Sequence, residues 1–382
     1  MEEILFMPLG GGQRVGASCY FLKIGDANII LDAGIGKENG IDFGPDFHSL
    51  ITSPYIQSMG QINQIYISHA HSDHIGCLMS LMTSASHANV YMTGVTKTLT
   101  QFQVYDRVFS CDSNHNENER LATQSLLEKI IEVNYMQTLD FGKFKATFYQ
   151  AGHIPGAMMV LFDTGKKKIL YTGDYSLEST LLTGGCLLPS DIAVDTVILC
   201  GLHAKHPTYT KKTNALIKLV RDILARVTQC HQSVLCYVPQ LSKGLELIKA
   251  LNEWNTTDVP IYLDESVLKI VEKMEQLMIP IVTQNNKVKG TEIPNMPHVY
   301  VTSRKSLEWS PHYAVVTADF SLHEDFPEMK RFLRKINPRQ AFVVHCGKAY
   351  NPLDATIEQE MMNDVDSRTQ FIFPEEKEIY KL

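Results

Sequence analysis

The chain has 382 residues, of which 44% are hydrophobic and 20% charged, a balance typical of globular proteins. Its net charge of -7 does not favour nucleic acid as a partner, although an acidic protein can carry a local basic groove. No apolar run reaches the roughly 18 residues of a membrane span, and the acidic start does not resemble a secretory signal. The eight cysteines form no C-x-x-C pair, which argues against a zinc ribbon or a disulfide framework. We therefore expect a cytoplasmic protein without membrane association.

Short apolar runs between turn residues dominate the first half of the chain and predict strands. The predicted strands are 19–23, 28–32, 62–68, 89–92, 145–149, 158–163 and 168–172. Apolar residues at helical spacing predict a helix over 121–133.

From about residue 208 helices and strands alternate, which predicts a parallel sheet with covering helices. The predicted helices are 214–227, 243–254, 266–278 and 326–336. The predicted strands are 233–238, 259–263, 314–318 and 340–344. The polar segment 283–297 has no clear period and is expected to be a loop.

The segment His69-Ala70-His71-Ser72-Asp73-His74 follows the predicted strand 62–68 and precedes an apolar helix. Two histidines at i and i+2 after a strand can share one metal ion, and Asp73 with His74 can reach a second. Imidazole and carboxylate suit zinc, which keeps a position for water in catalytic sites. A polar loop with histidines placed by chance is the weaker alternative, because four potential ligands stand within six residues.

Three further polar residues stand at the ends of predicted strands, beside or close to glycine: His153, Asp174 and His345. A lone histidine at such a place is more often structural than a ligand. Their occurrence together with the first motif favours the ligand interpretation.

This series, with Leu31-Asp32-Ala33-Gly34 before it, resembles the metal-site series of the metallo-β-lactamase superfamily over nearly the whole chain. The resemblance implies one zinc ion on His69, His71 and His153, and another on Asp73, His74 and His345. It also implies that Asp174 bridges the two ions and that Asp32 orients the histidine loop. For Asp32, an ordinary turn aspartate is the alternative.

The second half resembles the β-CASP branch of that superfamily, which includes ribonuclease J and the endonuclease of messenger-RNA 3′-end processing. The segment 234–247 is similar to a strand-to-helix step of that branch, and Phe320-Ser321-Leu322-His323-Glu324-Asp325 is similar to its Phe-Ser-x-His-x-Asp motif. The resemblance implies that His323 gives a proton to the leaving group.

The implied fold is α/β, a metallo-β-lactamase αβ/βα sandwich with an inserted β-CASP-like domain that has a parallel sheet. We predict the metallo-β-lactamase domain over 1–202 and 318–382, and the insertion over 203–317.

The sequence departs from the β-CASP pattern at three places. Cys200 stands where these nucleases carry an acidic residue. The usual carboxylate partner of His323 is therefore missing, unless Glu324 or another acid substitutes. The insertion is short, without the Gly-rich stretches expected before the Phe-Ser-x-His motif. No C-terminal extension like that of ribonuclease J follows.

The leading hypothesis is a hydrolase that cleaves phosphodiester bonds, a nuclease of RNA processing or degradation acting on RNA or single-stranded DNA. Two zinc ions, with manganese as the alternative metal, would lower the pKa of a bridging water toward about 7. The candidate catalytic residues are Asp73, His323 and Asp32. The alternatives are a small-molecule hydrolase acting on a thioester, lactone or cyclic nucleotide, and a non-catalytic partner subunit.

Contacts to nucleic acid would require positive charge near the cleft. Lys243 and Ser321 are the candidate substrate-binding residues. Two basic clusters, 330–339 and 205–212, are further candidates, although helix-surface lysines are more often a solvated face. A homodimer is an open alternative.

Overall fold

A computed structural model of the chain describes residues 3–109, 117–205, 212–239, 241–282, 296–304, 313–347, 356–362 and 368–382. The chain forms two compact units. The first unit comprises 1–178, 185–209 and 323–382, and the second comprises 179–184 and 210–322. The domain limits predicted from the sequence, 1–202 with 318–382 and 203–317, stay a prediction.

Two β-sheets form the framework of the first unit. One sheet runs in the order β20-β1-β2-β3-β6-β7-β8 and the other in the order β19-β18-β13-β12-β11-β10-β9. The strands of the first are β1 Ile4–Gly10, β2 Cys19–Ile24, β3 Ala27–Leu31, β6 Gln64–Tyr66, β7 Asn89–Thr93, β8 Ile131–Val133 and β20 Tyr380–Lys381. Those of the second are β9 Thr138–Asp140, β10 Lys145–Gln150, β11 Met158–Asp163, β12 Lys168–Tyr171, β13 Thr196–Cys200, β18 Gln340–Val344 and β19 Gln370–Ile372. A small hairpin joins β4 Gly36–Glu38 to β5 Ile41–Phe43.

Helices accompany both sheets of the first unit. They are α1 Phe47–Ile51, α2 Ser72–Ile75, α3 Leu78–Ser84, α4 Gly94–Phe109, α5 Glu117–Glu128, α9 Phe326–Ile336 and α10 Ile357–Met362, with a 3-10 turn at Met59–Gln61. Helix α9 begins with a capping box, in which Asp325 accepts the Glu328 N–H and Glu328 accepts the Asp325 N–H. It ends at Asn337, whose left-handed backbone (φ 37°) stops the helix.

Aromatic side chains from the two sheets meet in one buried core. Phe6 lies against Phe342 with ring centroids 5.2 Å apart, and Tyr66 lies edge-on against Phe162, also at 5.2 Å. Each of these contacts joins one sheet to the other, so burial of large rings holds the sheets face to face.

Parallel pairing brings the strand ends that carry site residues to one edge of the second sheet. Strand β13 pairs in parallel with β12 on one side and with β18 on the other, and Cys200 is opposite Val344 in register. The loops that follow β12 and β18 contain Asp174 and His345. The carboxyl ends of parallel strands therefore deliver these two residues and Cys200 to the same place.

The second unit has a parallel sheet in the order β15-β16-β14-β17. Its strands are β14 Val234–Tyr237, β15 Ile261–Leu263, β16 Val299–Thr302 and β17 Ala314–Thr317, and its helices are α6 Lys212–Thr228, α7 Lys243–Trp254 and α8 Glu265–Gln276. The α/β class predicted from the sequence is confirmed, including the parallel sheet of the second half.

One predicted element is wrong at its C-terminal end. The helix expected over 121–133 ends at Glu128, and Ile131–Val133 form β8, which pairs in parallel with β7. Pairing with the sheet edge outweighs the helical spacing of the apolar residues. The sequence analysis also missed β1, α4 and β16. Most of the loop expected over 283–297 lies outside the described residues.

In the described part of the chain, no helix combines the length and the apolar character needed to cross a membrane.

Candidate metal centre

Sharp turns after strands aim the motif residues at one place. Asp32 and His345 adopt left-handed backbone conformations, with φ of 57° and 51°. Such values are uncommon outside glycine and are retained where the surroundings enforce them. Gly173 also has positive φ (51°), and an added Cβ would lie 2.4 Å from Ser68 Cβ. Only glycine fits this turn, which places Asp174 next to the histidine loop.

The first ligand group consists of His69, His71, His153 and Asp174, whose candidate ligand atoms all lie within 4.8 Å of one another. The Nδ1 atom of His71 lies 3.0 Å from His69 Nε2 and 3.2 Å from His153 Nε2. Such spacing is compatible with nitrogen atoms around one zinc ion at about 2.0–2.1 Å.

The second ligand group consists of Asp73, His74 and His345. His345 Nε2 lies 3.8 Å from the Oδ2 atom of Asp73. Asp73 and His74 are in α2, the one-turn helix after the histidine loop, and His345 comes directly after β18.

Asp174 faces both groups with its two carboxylate oxygens. Oδ2 lies 3.6 Å from His69 Nε2 and 3.7 Å from His153 Nε2, whereas Oδ1 lies 3.5 Å from His74 Nε2. A carboxylate in this position can contribute one oxygen to each of two ions.

Outer hydrogen bonds fix the orientation of several histidine rings. His74 Nδ1 contacts Asp32 Oδ2 at 2.7 Å, His69 Nδ1 contacts Ser68 Oγ at 3.0 Å, and His345 Nδ1 contacts Ser18 Oγ at 2.9 Å. With Nδ1 engaged outside, the Nε2 atom of each ring is presented to the cluster.

The donor set fits divalent metal ions. His71 Nε2, His74 Nε2 and both oxygens of Asp174 are buried without a hydrogen-bond partner among the described residues. Buried polar atoms without partners are costly, so this concentration fits the binding of positive ions. Although burial lowers it, the carboxylates of Asp174 and Asp32 raise the pKa of His74, another sign that the site favours positive charge.

The structure therefore brings together all seven residues that the sequence predicts as ligands. Their assignment as ligands stays a prediction, as do the identity and the number of the ions. The sequence analysis missed Ser18, Ser68 and Tyr171, which contact His345 or Asp32. Their only sequence signal is a polar group within or at the end of an apolar strand.

His323 lies at the edge of this cluster. Its Nδ1 atom is 3.5 Å from Asp174 Oδ2, and its ring centroid is 4.4 Å from that of His153. Burial and then the neighbouring His153 lower the pKa of His323, so its resting form at neutral pH is the neutral imidazole. Asp174, Cys200 and His323 form a third group of candidate ligand atoms within 4.8 Å of one another.

Lys243 and Ser321 both lie in the second unit. Lys243 begins α7, and its Nζ atom is 5.9 Å from the centroid of the Phe320 ring. Ser321 lines a cavity of about 120 Å³ together with Thr180 and Glu246. Their role in binding substrate stays a prediction.

Most of the basic residues suggested for phosphate contact have partners inside their own unit. Lys330 pairs with Glu360 at 2.8 Å, and Arg331 lies 3.6 Å from Glu178. Lys335 donates to the carbonyl of Leu188. These pairs favour a solvated helix face over a phosphate-binding one. Lys211 lies outside the described residues.

A family model described as metallo-beta-lactamase superfamily domain matches residues 21–190. Residues 21–190 therefore have the sequence pattern of a metallo-β-lactamase superfamily domain. The match includes the histidine motif, His153 and Asp174, so the resemblance seen in the sequence is confirmed. A crystal structure of a protein of unknown function from Enterococcus faecalis shares this fold, with a TM-score of 0.63 over 100% of both chains at 13% identity.

Two curated relatives extend the similarity beyond the matched domain. The chain is 29% identical over 266 residues to the endoribonuclease ysh-1 of Neurospora crassa, covering 66% of this chain and 30% of the relative. It is 29% identical over 308 residues to cleavage and polyadenylation specificity factor 73 of Drosophila melanogaster, covering 77% and 42%. The chain thus spans less than half of either relative. The predicted relationship to the β-CASP nuclease branch is confirmed.

Proposed function

We propose that this metallo-β-lactamase-fold chain is a metal-dependent hydrolase that cleaves phosphodiester bonds in RNA, with two zinc ions in its centre. The observation that carries the proposal is the position of Asp174. One buried carboxylate faces a three-histidine group with Oδ2 and the Asp73, His74 and His345 group with Oδ1.

When bound, two ions supply Lewis-acid charge that makes water more acidic and stabilises negative charge on a transferring phosphoryl group. The protein holds the ligands in place before substrate arrives: Asp32 fixes the ring of His74, and Ser18 fixes that of His345. Most of the surrounding donors are buried, namely His69, His74, His153, His345, Asp32 and Asp174. Water therefore has little access to weaken their contacts.

His323 is placed to move a proton. Its ring is 19% exposed, whereas Asp174 beside it is 1% exposed, so His323 is the more accessible of the two. A resting neutral imidazole can accept a proton as water attacks and then donate it to the departing oxygen. This role for His323 is part of the proposal.

The substrate class rests on the relatives. One is named an endoribonuclease and the other a cleavage and polyadenylation specificity factor. The chain spans only 30% and 42% of these proteins, so their substrate is a proposal for this chain. The hydrolysis assay below therefore also includes single-stranded DNA and a small-molecule substrate. A cytoplasmic location and a homodimer stay predictions from the sequence.

The test is hydrolysis by the zinc-loaded wild-type chain of a labelled single-stranded RNA, a matching DNA and a thioester. We expect cleavage of RNA above DNA and no thioester turnover. His71→Ala and Asp174→Ala should abolish cleavage, and His87→Ala, at an exposed histidine, should not change it. Thioester turnover without RNA cleavage would favour the small-molecule hydrolase, and absence of bound metal would favour the partner subunit.

A further inference from the structure

Cys200 ends β13 inside the metal centre but belongs to neither of the two ligand groups proposed above. It is 2% exposed, and its N–H donates to the Oγ1 atom of Thr172 at 3.0 Å. Pairing of β13 with β12 and β18 on its two sides fixes the backbone that carries it. The thiol is therefore held in place by the sheet rather than by a loop.

The Sγ atom of Cys200 lies close to the carboxylate of Asp174 and the imidazole of His323. Sγ, an Asp174 oxygen and a His323 nitrogen all lie within 4.8 Å of one another, the same limit that the other two groups satisfy. Both oxygens of Asp174, which is 1% exposed, lack a hydrogen-bond partner in the described part of the chain. The carboxylate thus offers lone pairs to this group as well.

The donor chemistry of this third group differs from that of the other two. Those contain only imidazole and carboxylate, whereas Cys200 adds sulfur. Thiolate ligands select soft or borderline ions such as zinc, and three protein ligands with one open position are a common zinc arrangement. Magnesium and manganese prefer oxygen ligands, so the third group should discriminate against them.

A further dication in this small volume requires compensating negative charge. Asp32, Asp73 and Asp174 supply part of it, and the Cys200 thiol becomes a thiolate when it binds an ion. Glu324 adds a carboxylate that is 0% exposed, and its N–H donates to the carbonyl of Tyr175 at 2.9 Å. Burial and then the charges of Asp174 and Glu324 raise the pKa of the Cys200 thiol.

We propose that Asp174, Cys200 and His323 form a third metal position, which takes a zinc-like ion and, when filled, withdraws His323 from proton transfer. As the ion binds, a metal–sulfur bond forms and the thiol proton passes to solvent. The consequence for activity, inhibition by excess zinc, rests on the proposed nuclease function. The metal position itself does not.

Cobalt(II) titration of the metal-free wild-type chain tests the position directly. We expect three equivalents to bind, with a thiolate-to-cobalt charge-transfer band appearing only with the third. Cys200→Ala should bind two equivalents without that band. The matched control is Cys236→Ala, at a buried cysteine in β14 of the second unit, which should keep three equivalents and the band.

Activity gives a second readout. In the wild type, RNA cleavage should fall at least tenfold when zinc rises from two equivalents to an excess, and manganese should not produce this fall. Each variant is compared with itself, as the ratio of its activity at excess zinc to its activity at two equivalents. This ratio should stay near one for Cys200→Ala and fall for Cys236→Ala.

The outcomes separate this inference from the proposed function. Wild-type protein that binds two cobalt equivalents and never shows the charge-transfer band overturns the third position, even if RNA is cleaved. Protein that binds fewer than two equivalents contradicts the nuclease proposal itself. The wild-type band does not depend on whether any variant folds.

Discussion

The Oδ2 atom of Asp32 lies 2.7 Å from the Nδ1 atom of His74. The same carboxylate accepts the N–H and the hydroxyl of Ser68, at 2.6 and 2.7 Å, and the hydroxyl of Tyr171. Asp32 thereby connects the end of β3 to the histidine loop and to β12. His74 is left with Nε2 directed at Asp174, 3.5 Å away.

Asp32→Asn should weaken metal binding by about 10–100-fold, because the outer partner of a ligand histidine sets its tautomer and basicity. The measurement is zinc affinity in competition with a chromophoric chelator. Asp42→Asn, at a carboxylate that is 61% exposed, is the matched control and should leave the affinity unchanged. Equal affinities for Asp32→Asn and the wild type would contradict the orienting role.

Ser18 contacts the second ligand group alone, through His345 Nδ1 at 2.9 Å. Ser18→Ala should therefore weaken the ion held by Asp73, His74 and His345 and spare the ion held by His69, His71 and His153. In a calorimetric titration, the first two zinc equivalents should separate into a tight and a weakened event. A uniform weakening of both events would count against two distinct ligand groups.

Glu246 of α7 holds residues 179–184 within the second unit. It is 2% exposed, and its carboxylate accepts the N–H groups of Leu181 and Leu182, each at 3.1 Å. Glu246→Ala leaves two part-buried donors without their acceptor, which should cost about 1–3 kcal/mol of unfolding free energy. Urea unfolding measures this loss.

Glu253→Ala on the same helix provides the comparison. Glu253 is 33% exposed and pairs with Lys249 at 2.9 Å across one helical turn. Such a pair contributes about 0.3–0.5 kcal/mol. If both variants lost the same stability, Glu246 would have no special part in holding 179–184.

Whether a residue of the metal centre could be predicted from the sequence depends on how far apart along the chain the interacting residues are. The His69 to His74 motif is local, because the strand end and the turn into α2 place its side chains together. Asp174 and His345 were identified because both follow apolar strands that end at the same sheet edge. These are consequences of short-range pattern and parallel pairing.

Ser18 and Tyr171 could not be identified in the same way. Ser18 and His345 are 327 positions apart in the chain, and Tyr171 is 139 positions from Asp32. A serine or tyrosine at a strand is compatible with core packing or with surface exposure, and only the completed sheets distinguish these. The error at 131–133 has a related cause. These residues form a strand because they pair with β7, which lies about 40 positions earlier in the chain.

Acid should reveal the contribution of Asp46, the residue that caps α1. Its carboxylate accepts the Ser49 N–H at 3.0 Å and lies 2.9 Å from Lys377 Nζ. The Ser49 N–H and then Lys377 lower the pKa of Asp46 from 3.8 to about 2. A folded-state pKa below the unfolded one means that the stabilisation is complete above about pH 4 and is lost as pH falls toward 2.

The difference in unfolding free energy between the wild type and Asp46→Asn should therefore be constant from pH 7 to pH 5 and shrink between pH 4 and pH 3. Denaturant unfolding of both proteins across this range measures it. Because both proteins share every metal ligand, protonation of the centre affects them alike and cancels in the difference. A difference that stays constant down to pH 3 would show that neither the cap nor the Lys377 contact depends on the charge of Asp46.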